Sequence, residues 1–498
     1  MQKRPSHKKF LPITLQKLEQ LLKKDIGGEH DLSFDIYEKQ GKKIAVFYVV
    51  YQINTDHLEN FLLTPLLNKL PKWTKEEIQN NIPLSGGNSI DSLEKTLEQL
   101  IFGSVCLYIE GEKEILTYSL LNKEKRSLET AETESLVLGP KMAFTESIET
   151  NLNIVRFRIR STDLAIEEFQ IGTMSPRIVR MVYMKSIANE TDVNTMRQRL
   201  EDLDVDEIQD SVVLKQYLED SQWSIFPQFD STELPDRFTY NITKGKIGVL
   251  TENSPTGFIG PSTLFSFFES TEDLYMRWNA GTALRMLRFI AMTISILLTP
   301  LYVAAVTYQY SIIPSQELIT LGESRASVPF PPLLEALILE FMIELLREAG
   351  ARLPTKVGQT MGIVGGIVIG EAAVQAGLTS NILIILVAIS ALASFTSPSY
   401  LMSVTIRMVR FPLILLSGLL GLLGIVYGVV FLIIHLLKVT SLGRPFLVPL
   451  YPLQLKDFNK VLFRSPFEFN SRRAKSYRPK KIRRYNKQEA KVKHDNQN

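Results

Sequence analysis

The stretch ALILEFMIELLREAG, residues 336–350, decides how the second half of this chain is read. It lies among long apolar segments, yet it carries Glu340, Glu344, Arg347 and Glu348, with Glu335 just ahead of it. Pro329, Pro331 and Pro332 precede it, where proline is tolerated and starts a helix. At 100° per residue the four charges from Glu340 to Glu348 fall within an arc of about 100°. Leu334, Ile338, Leu339, Phe341, Met342, Ile343, Leu345 and Leu346 occupy the opposite side. Glu335 falls on that apolar side, but in the first turn, where the helix dipole favours a carboxylate. The charges therefore form one stripe.

Burying a carboxylate in lipid costs roughly 3 kcal/mol on insertion scales, so the stripe must face water, other protein or a pore. One reading is an amphipathic helix lying in the membrane interface. The other is a helix that lines an ion pathway, as a ring in an oligomer.

The next segment, VGQTMGIVGGIVIGEAAVQAG (357–377), places Gly358, Gly362, Gly366 and Gly370 four residues apart on one helix face. Such ladders let helices approach backbone to backbone in membranes. Glu371 and Gln375 follow at i and i+4, and an intramembrane carboxylate is a functional-site candidate.

Outward from this region the chain of 498 residues divides by composition. Residues 1–280 are charged and mixed, 289–437 hold four apolar segments, and the chain turns basic from 438 onward. The segments are 289–307, 357–377, 378–396 and 411–439; each is long enough for a hydrocarbon core of about 30 Å, and the last is long enough to tilt. The second and third are separated only by GLTSN and read as a hairpin. Arg277, Arg285 and Arg288 precede the first span and SRRAKSYRPKKIRRYNKQEAKVK (471–493) follows the last, so both ends read as cytoplasmic and the number of crossings as even. Four crossings satisfy this, with six as the alternative. Arg407 and Arg410 conflict with four, because they would then face outward. The basic tail reads as a topology signal attracted to anionic lipid headgroups. Its aromatic interleaving is too thin for nucleic-acid binding.

The first half mixes strands and helices. KKIAVFYVVYQI (42–53) and SVCLYIEGEKEILTYSL (104–120) are strand-rich, the second broken by EGE as a hairpin turn would be. SIDSLEKTLEQLIF (89–102) has leucines at helical spacing. Helices are expected over 193–208 and 212–220, and strands around a turn over 244–260. The fold class is α+β: an N-terminal cytosolic α/β region of two subdomains (1–125 and 126–280), followed by an all-helical integral membrane domain (281–440) and a basic cytosolic tail (441–498).

Cys106 is the one cysteine, in an apolar run that suits a buried strand. The five histidines (7, 30, 57, 435 and 494) make no metal-ligand spacing. No phosphate-binding glycine loop or nucleophile elbow is present. Neither an enzyme activity nor a cofactor or metal is expected, and no secretory signal is read at the N-terminus.

With these segments in view, the sequence resembles the GerA-type A subunits of spore germinant receptors from about residue 40 to 450. Its most distinctive part is VPFPPLLEALILEFMIELLREAGARLPTKVGQTMGIVGGIVIGEAAVQAG (328–377). TESLVLGPKMAFTESIETN (133–151), PQFDSTELPD (227–236) and FFESTEDLYMRW (267–278) match as well. The departures lie in the soluble half: Leu138 and Leu234 where the family favours arginine, Ala143 for a glycine, and Glu252-Asn253 for Asp-Gly. The resemblance implies an oligomeric membrane subunit in the spore inner membrane, partnered by a transporter-like B subunit and a lipoprotein C subunit. It implies a role as the channel of a nutrient receptor. The rival reading is a non-conducting scaffold that assembles the receptor; a secondary transporter is disfavoured by too few spans for an internal repeat.

Overall fold

In the computed structural model, residues 14–485 are described apart from 27–30, 85, 122–130, 132–133, 135, 354–364, 367 and 467–468. Alternating apolar residues build a first sheet from β1 (Leu32–Lys39), β2 (Lys42–Val49), β3 (Gly86–Ile90), β4 (Ser104–Ile109) and β5 (Ile115–Ser119). Its order is β1-β2-β4-β5-β3, with every neighbour antiparallel. Gln40 and Gly41 close the first hairpin, both at positive φ (52° and 78°), as a tight two-residue turn requires. Successive side chains point to opposite faces. Ala45, Phe47, Cys106 and Tyr108 therefore pack toward α1 (Leu15–Ile26) and α3 (Leu93–Ile101). Ile44, Val46, Val105 and Leu107 pack toward the opposite layer of Leu58, Leu62, Leu66 and Trp73, which is completed by Ile78 of α2 (Lys75–Asn81). Cys106 is a core residue whose thiol is pushed up by burial.

The second unit repeats this plan. After α4 (Ile148–Arg158) come β6 (Leu164–Ile171), β7 (Arg177–Met184), α5 (Glu190–Glu201), α6 (Ser211–Leu218), β8 (Asp230–Thr232), α7 (Pro235–Lys244), β9 (Ile247–Thr251) and β10 (Gly257–Gly260). The antiparallel order β6-β7-β9-β10-β8 reproduces that of the first sheet strand for strand. Local chemistry sets the boundaries. Ser147, Asn189 and Asp210 each accept a backbone N–H at a helix start, and Gly245 (φ 104°) closes α7. Asn253 sits at φ 57°, a conformation that asparagine tolerates.

The two units are not beads on a linker. One apolar cluster runs from α1 and the first sheet through Leu152 and Val155 of α4 to Ile166 and Val182 of the second sheet. Within it Asp31 accepts from Arg156 (3.3 Å), Arg180 (3.3 Å) and the Tyr51 hydroxyl (3.1 Å), and Arg156 Nε donates to Tyr51 (3.0 Å).

The helical part contains α8 (Trp278–Thr307), α9 (Ser315–Arg325), α10 (Pro332–Arg352), α11 (Asn381–Ser394), α12 (Tyr400–Leu420) and α13 (Leu422–Lys438). Among the described residues, α8 and α12 are long and apolar enough to cross a membrane, while α11 and α13 are shorter apolar helices. Side-chain contacts fix their directions. Tyr302 meets Ser380 and Ser295 meets Ser390, so α11 runs opposite to α8; Glu335 meets Ser380 and Arg347 meets Ser394, so α10 runs alongside α11 in the same direction. Arg410 meets Glu340 and Arg407 meets Glu344, so α12 runs opposite to α10. Thr405 and His435 both reach the second unit, at Ile225 and Ser224, and mark the end of the bundle nearest the α/β units. Tyr308, bonded to the Gly418 and Leu419 carbonyls, marks the far end.

One expectation is corrected here and another extended. The apolar segment 411–439 is not one tilted helix: α12 begins at Tyr400, and Gly421 (φ 62°, ψ −140°) turns the chain back into α13. A Cβ at Gly424 or Gly428 would strike Leu416 or Leu413, so glycine is what lets these two helices touch. The region from 441 to 485, read from its charge as a basic tail drawn to lipid headgroups, also packs on the second unit. It contains α14 (Leu455–Leu462), and its backbone bonds the second unit through Lys480 N to Ile187 O (2.8 Å) and Arg478 O from Asn189 (3.0 Å). Arg444 donates to Asp192 (2.7 Å). These arginines have protein partners that no reading of charge alone could supply.

Candidate functional site

Helix α10 begins at Pro332, whose ring suits a first turn, and presents its carboxylates to neighbouring helices. Glu335, fully buried, accepts from Arg325 of α9 (2.7 Å), the Thr379 hydroxyl (3.1 Å) and the Ser380 backbone N–H (2.6 Å). One turn on, Glu340 accepts from Arg410 of α12 (2.9 Å) and Thr299 of α8 (2.9 Å). Arg410 also donates to Ser390 of α11 (2.9 Å), whose own hydroxyl donates to the Ser295 carbonyl (3.0 Å). Four helices therefore meet at one carboxylate and one guanidinium, 3% and 2% exposed.

Nearer the α/β units, Glu344 lies between Arg407 of α12 (3.1 Å) and Arg347 (3.3 Å). Arg347 also donates to Ser394 (3.3 Å) and lies over the Phe395 ring, 4.5 Å from its centre. Glu348 pairs with Arg352 in the open. The arrangement is a ladder: Glu335, Glu340, Glu344 and Glu348 each meet an arginine, and three of those pairs cross between helices or are shared with one that does.

From Glu340 to Arg347 the stripe thus faces other helices of the same chain, while Glu348 lies at the surface. Leu334, Ile338, Phe341 and Leu345 are exposed instead, so α10 turns its apolar side outward. An amphipathic helix lying flat on a membrane would instead turn its charged side to water. Arg407 and Arg410 do not stand ahead of a span; both are inside α12 and buried. Glu340 has no open face toward solvent, whereas Glu344 and Glu348 retain one.

Of the glycine ladder, Gly358 and Gly362 lie outside the described residues. Gly366 and Gly370 have open space where a Cβ would stand, while Gly365, which the ladder omits, sits so close to Leu346 of α10 that a Cβ would strike it. Glu371 accepts from Gln375 (3.2 Å) on an exposed surface, away from the ladder of ion pairs.

Electrostatically the inner cluster is unbalanced. Glu340 and Glu344 face three guanidiniums, Arg347, Arg407 and Arg410, and the Nε groups of Arg347 and Arg410 are buried with no acceptor. Among the described residues no group of His, Cys, Asp or Glu could hold a metal. Thr299, Ser390, Ser394, Arg325, Thr379 and Ser380 were not singled out from the sequence. The usable signal was the i, i+3 spacing of Arg407 and Arg410 in an apolar run, which complements the i, i+4 spacing of Glu340 and Glu344 on an antiparallel neighbour.

Fold and site together define a class: two fused α/β units continuous with an apolar helix bundle whose buried carboxylates are paired with arginines of neighbouring helices. The chain belongs to the Bacillus/Clostridium GerA spore germination protein family, whose pattern matches residues 19–476. It is 40% identical to spore germination protein GerQA of Bacillus cereus over 96% of this chain and 95% of that protein. It is 33% identical to spore germination protein KA of Bacillus subtilis (91% and 85%). An uncharacterized membrane protein of the same species, YfkQ, is 32% identical (87% and 85%). A solved structure, the N-terminal domain of the A subunit of the Bacillus megaterium spore germinant receptor GerK3, matches 51% of this chain and 97% of that domain at 26% identity and a TM-score of 0.40.

Proposed function

We propose that this chain is the ion-conducting membrane subunit of a nutrient germinant receptor, acting as a channel and not as an enzyme. In this reading it sits in the spore inner membrane, oligomerises, and works beside a transporter-like B subunit and a lipoprotein C subunit. The observation that carries the reading is the Glu340–Arg410 pair, held by Thr299 and Ser390 at mid-bundle. Charges at that depth are expensive and characteristically mark ion pathways and gates. Paired as they are, they act as a latch: separating α10 from α12 would expose Glu340 and Glu344 along one face and attract cations.

The second reading, a non-conducting scaffold, draws on the same ladder, because neutralisation inside one chain leaves no carboxylate of Glu340 free. Ion flux through the purified protein in liposomes separates them. A latch predicts that Arg410→Gln raises the basal leak at least tenfold and that Glu340→Gln/Arg410→Gln lowers cation preference. No flux from wild type or either variant, in protein that remains folded, would leave the scaffold.

Helix directions also support six crossings. The chain leaves α10 at the near end and enters α11 at the far end. Both α/β units and the C-terminal segment then share the cytoplasmic side. Six crossings place Leu378 outside and Tyr400 inside; four place them the other way. Labelling of Leu378→Cys and Tyr400→Cys by an impermeant thiol reagent, in a Cys106→Ser background, decides between them.

A further inference from the structure

Where the second unit, the base of α8 and the C-terminal segment meet, a cleft of about 90 Å³ opens. One water needs roughly 10–15 Å³ on that measure, so the cleft has room for a small oxyanion. Its walls carry Lys244, Arg285, Lys460, Arg464, Arg472, Arg473 and Arg484 against two carboxylates, Glu269 and Asp457. Lys244 pairs with Glu269 (2.7 Å), Lys460 with Asp457 (3.4 Å) and Arg285 with Asp273 (3.1 Å). Arg472, Arg473 and Arg484 pair with no carboxylate among the described residues.

The fold holds these cations by their backbone surroundings. Arg473 donates to the carbonyls of Thr243 (3.0 Å), Lys481 (2.9 Å) and Arg483 (3.1 Å), which fixes its position without neutralising it. Lys460 donates to the Arg472 and Arg473 carbonyls (3.2 and 3.3 Å), which draws the strand carrying them into the cleft. Burial, and then the charge of Arg484, hold the Arg473 guanidinium below its ordinary range. Behind the wall, Lys246 is wholly buried with its Nζ unbonded, 4.9 Å from the ring centre of Tyr477, itself a wall residue. Like charges collected at this density repel, and an anion would relieve them.

We propose that this cleft binds a phosphate group, with Arg472, Arg473 and Arg484 as its principal ligands. Its place suggests two sources. Arg285 lies one turn before Phe289, where the apolar run of α8 begins, so on the membrane reading the cleft sits at headgroup depth and would take the phosphate of an anionic lipid. The alternative source is free phosphate in solution.

The test uses the full chain. Inorganic phosphate is titrated against protein in detergent, with the melting midpoint as readout. In parallel, protein in nanodiscs of phosphatidylcholine with or without phosphatidylglycerol is extracted, and retained lipid is counted by native mass spectrometry. Retention of phosphatidylglycerol, reduced at least tenfold in Arg472→Gln/Arg473→Gln/Arg484→Gln, assigns the headgroup. A phosphate-dependent rise in the midpoint that the triple variant loses assigns free phosphate, and this arm does not depend on channel activity. Arg472→Gln alone, an exposed position, guards against misfolding and should weaken whichever ligand binds by several-fold. The proposal is overturned if neither probe distinguishes wild type from the folded variants.

Discussion

Replacing Arg410 by methionine keeps much of the side-chain volume and removes the cation at the centre of the ladder. Arg410 donates to Glu340 (2.9 Å) and to Ser390 (2.9 Å), and without it Glu340 keeps one donor, the Thr299 hydroxyl. A buried pair broken on one side costs about 3–5 kcal/mol, mostly for the stranded charge. A unit of this size loses roughly 2–4 °C of melting temperature per kcal/mol, so the midpoint should fall by roughly 6–20 °C. Fluorescence-detected size-exclusion melting of the full chain in detergent measures it. Glu340→Gln/Arg410→Met strands no charge and should recover most of the loss. A single variant within about 2 °C of wild type, or a double variant no better than the single, would show that packing alone holds α10 to α12.

Tyr51→Phe removes the hydroxyl that bridges Asp31 and Arg156 between the two α/β units, and should cost about 1–2 kcal/mol in the same melt; no loss would mean that the apolar cluster alone joins them. Burial holds the Lys246 ammonium down at about 8 from an ordinary 10.5, so between those values the unfolded chain keeps a proton that the folded chain has released. Stability contributed by this group therefore rises with pH across that window, by roughly 3 kcal/mol in all. Lys246→Met should be the more stable protein at pH 7 and lose its advantage by pH 10.5; a difference constant with pH would refute the assignment. Gly421→Ala places a Cβ against Gln309 in a backbone conformation that costs about 1–3 kcal/mol, whereas Gly443→Ala, also at positive φ but with open space around it, should lower the melting midpoint less; equal losses would mean that crowding at the α12–α13 turn contributes nothing.

The stretch 336–350 was legible as a helix with one charged face, because the 3.6-residue period and the prolines ahead of it are local facts. What that face meets was not legible. Arg407 is 63 positions from Glu344, and Arg410 is 70 from Glu340. A charge taken by itself argues for water or a pore; only the partner helix reveals that it is answered within the chain. The same blindness misplaced Arg407 and Arg410, since counting positive residues treats every arginine near a span as a flank. In the α/β half the hairpin at Gly111 and the strands over 247–260 could be read, because turn residues interrupt alternating runs. The repeat of strand order between the two sheets could not, because it lies in pairing and not in residue identity. The long apolar run at 411–439 shows the limit most plainly. Hydropathy measures how much of a segment avoids water and says nothing about where it turns. That information sat in Gly421, Gly424 and Gly428, whose missing side chains let α13 fold back along α12 and carry the chain's end to the side where its arginines find the second unit.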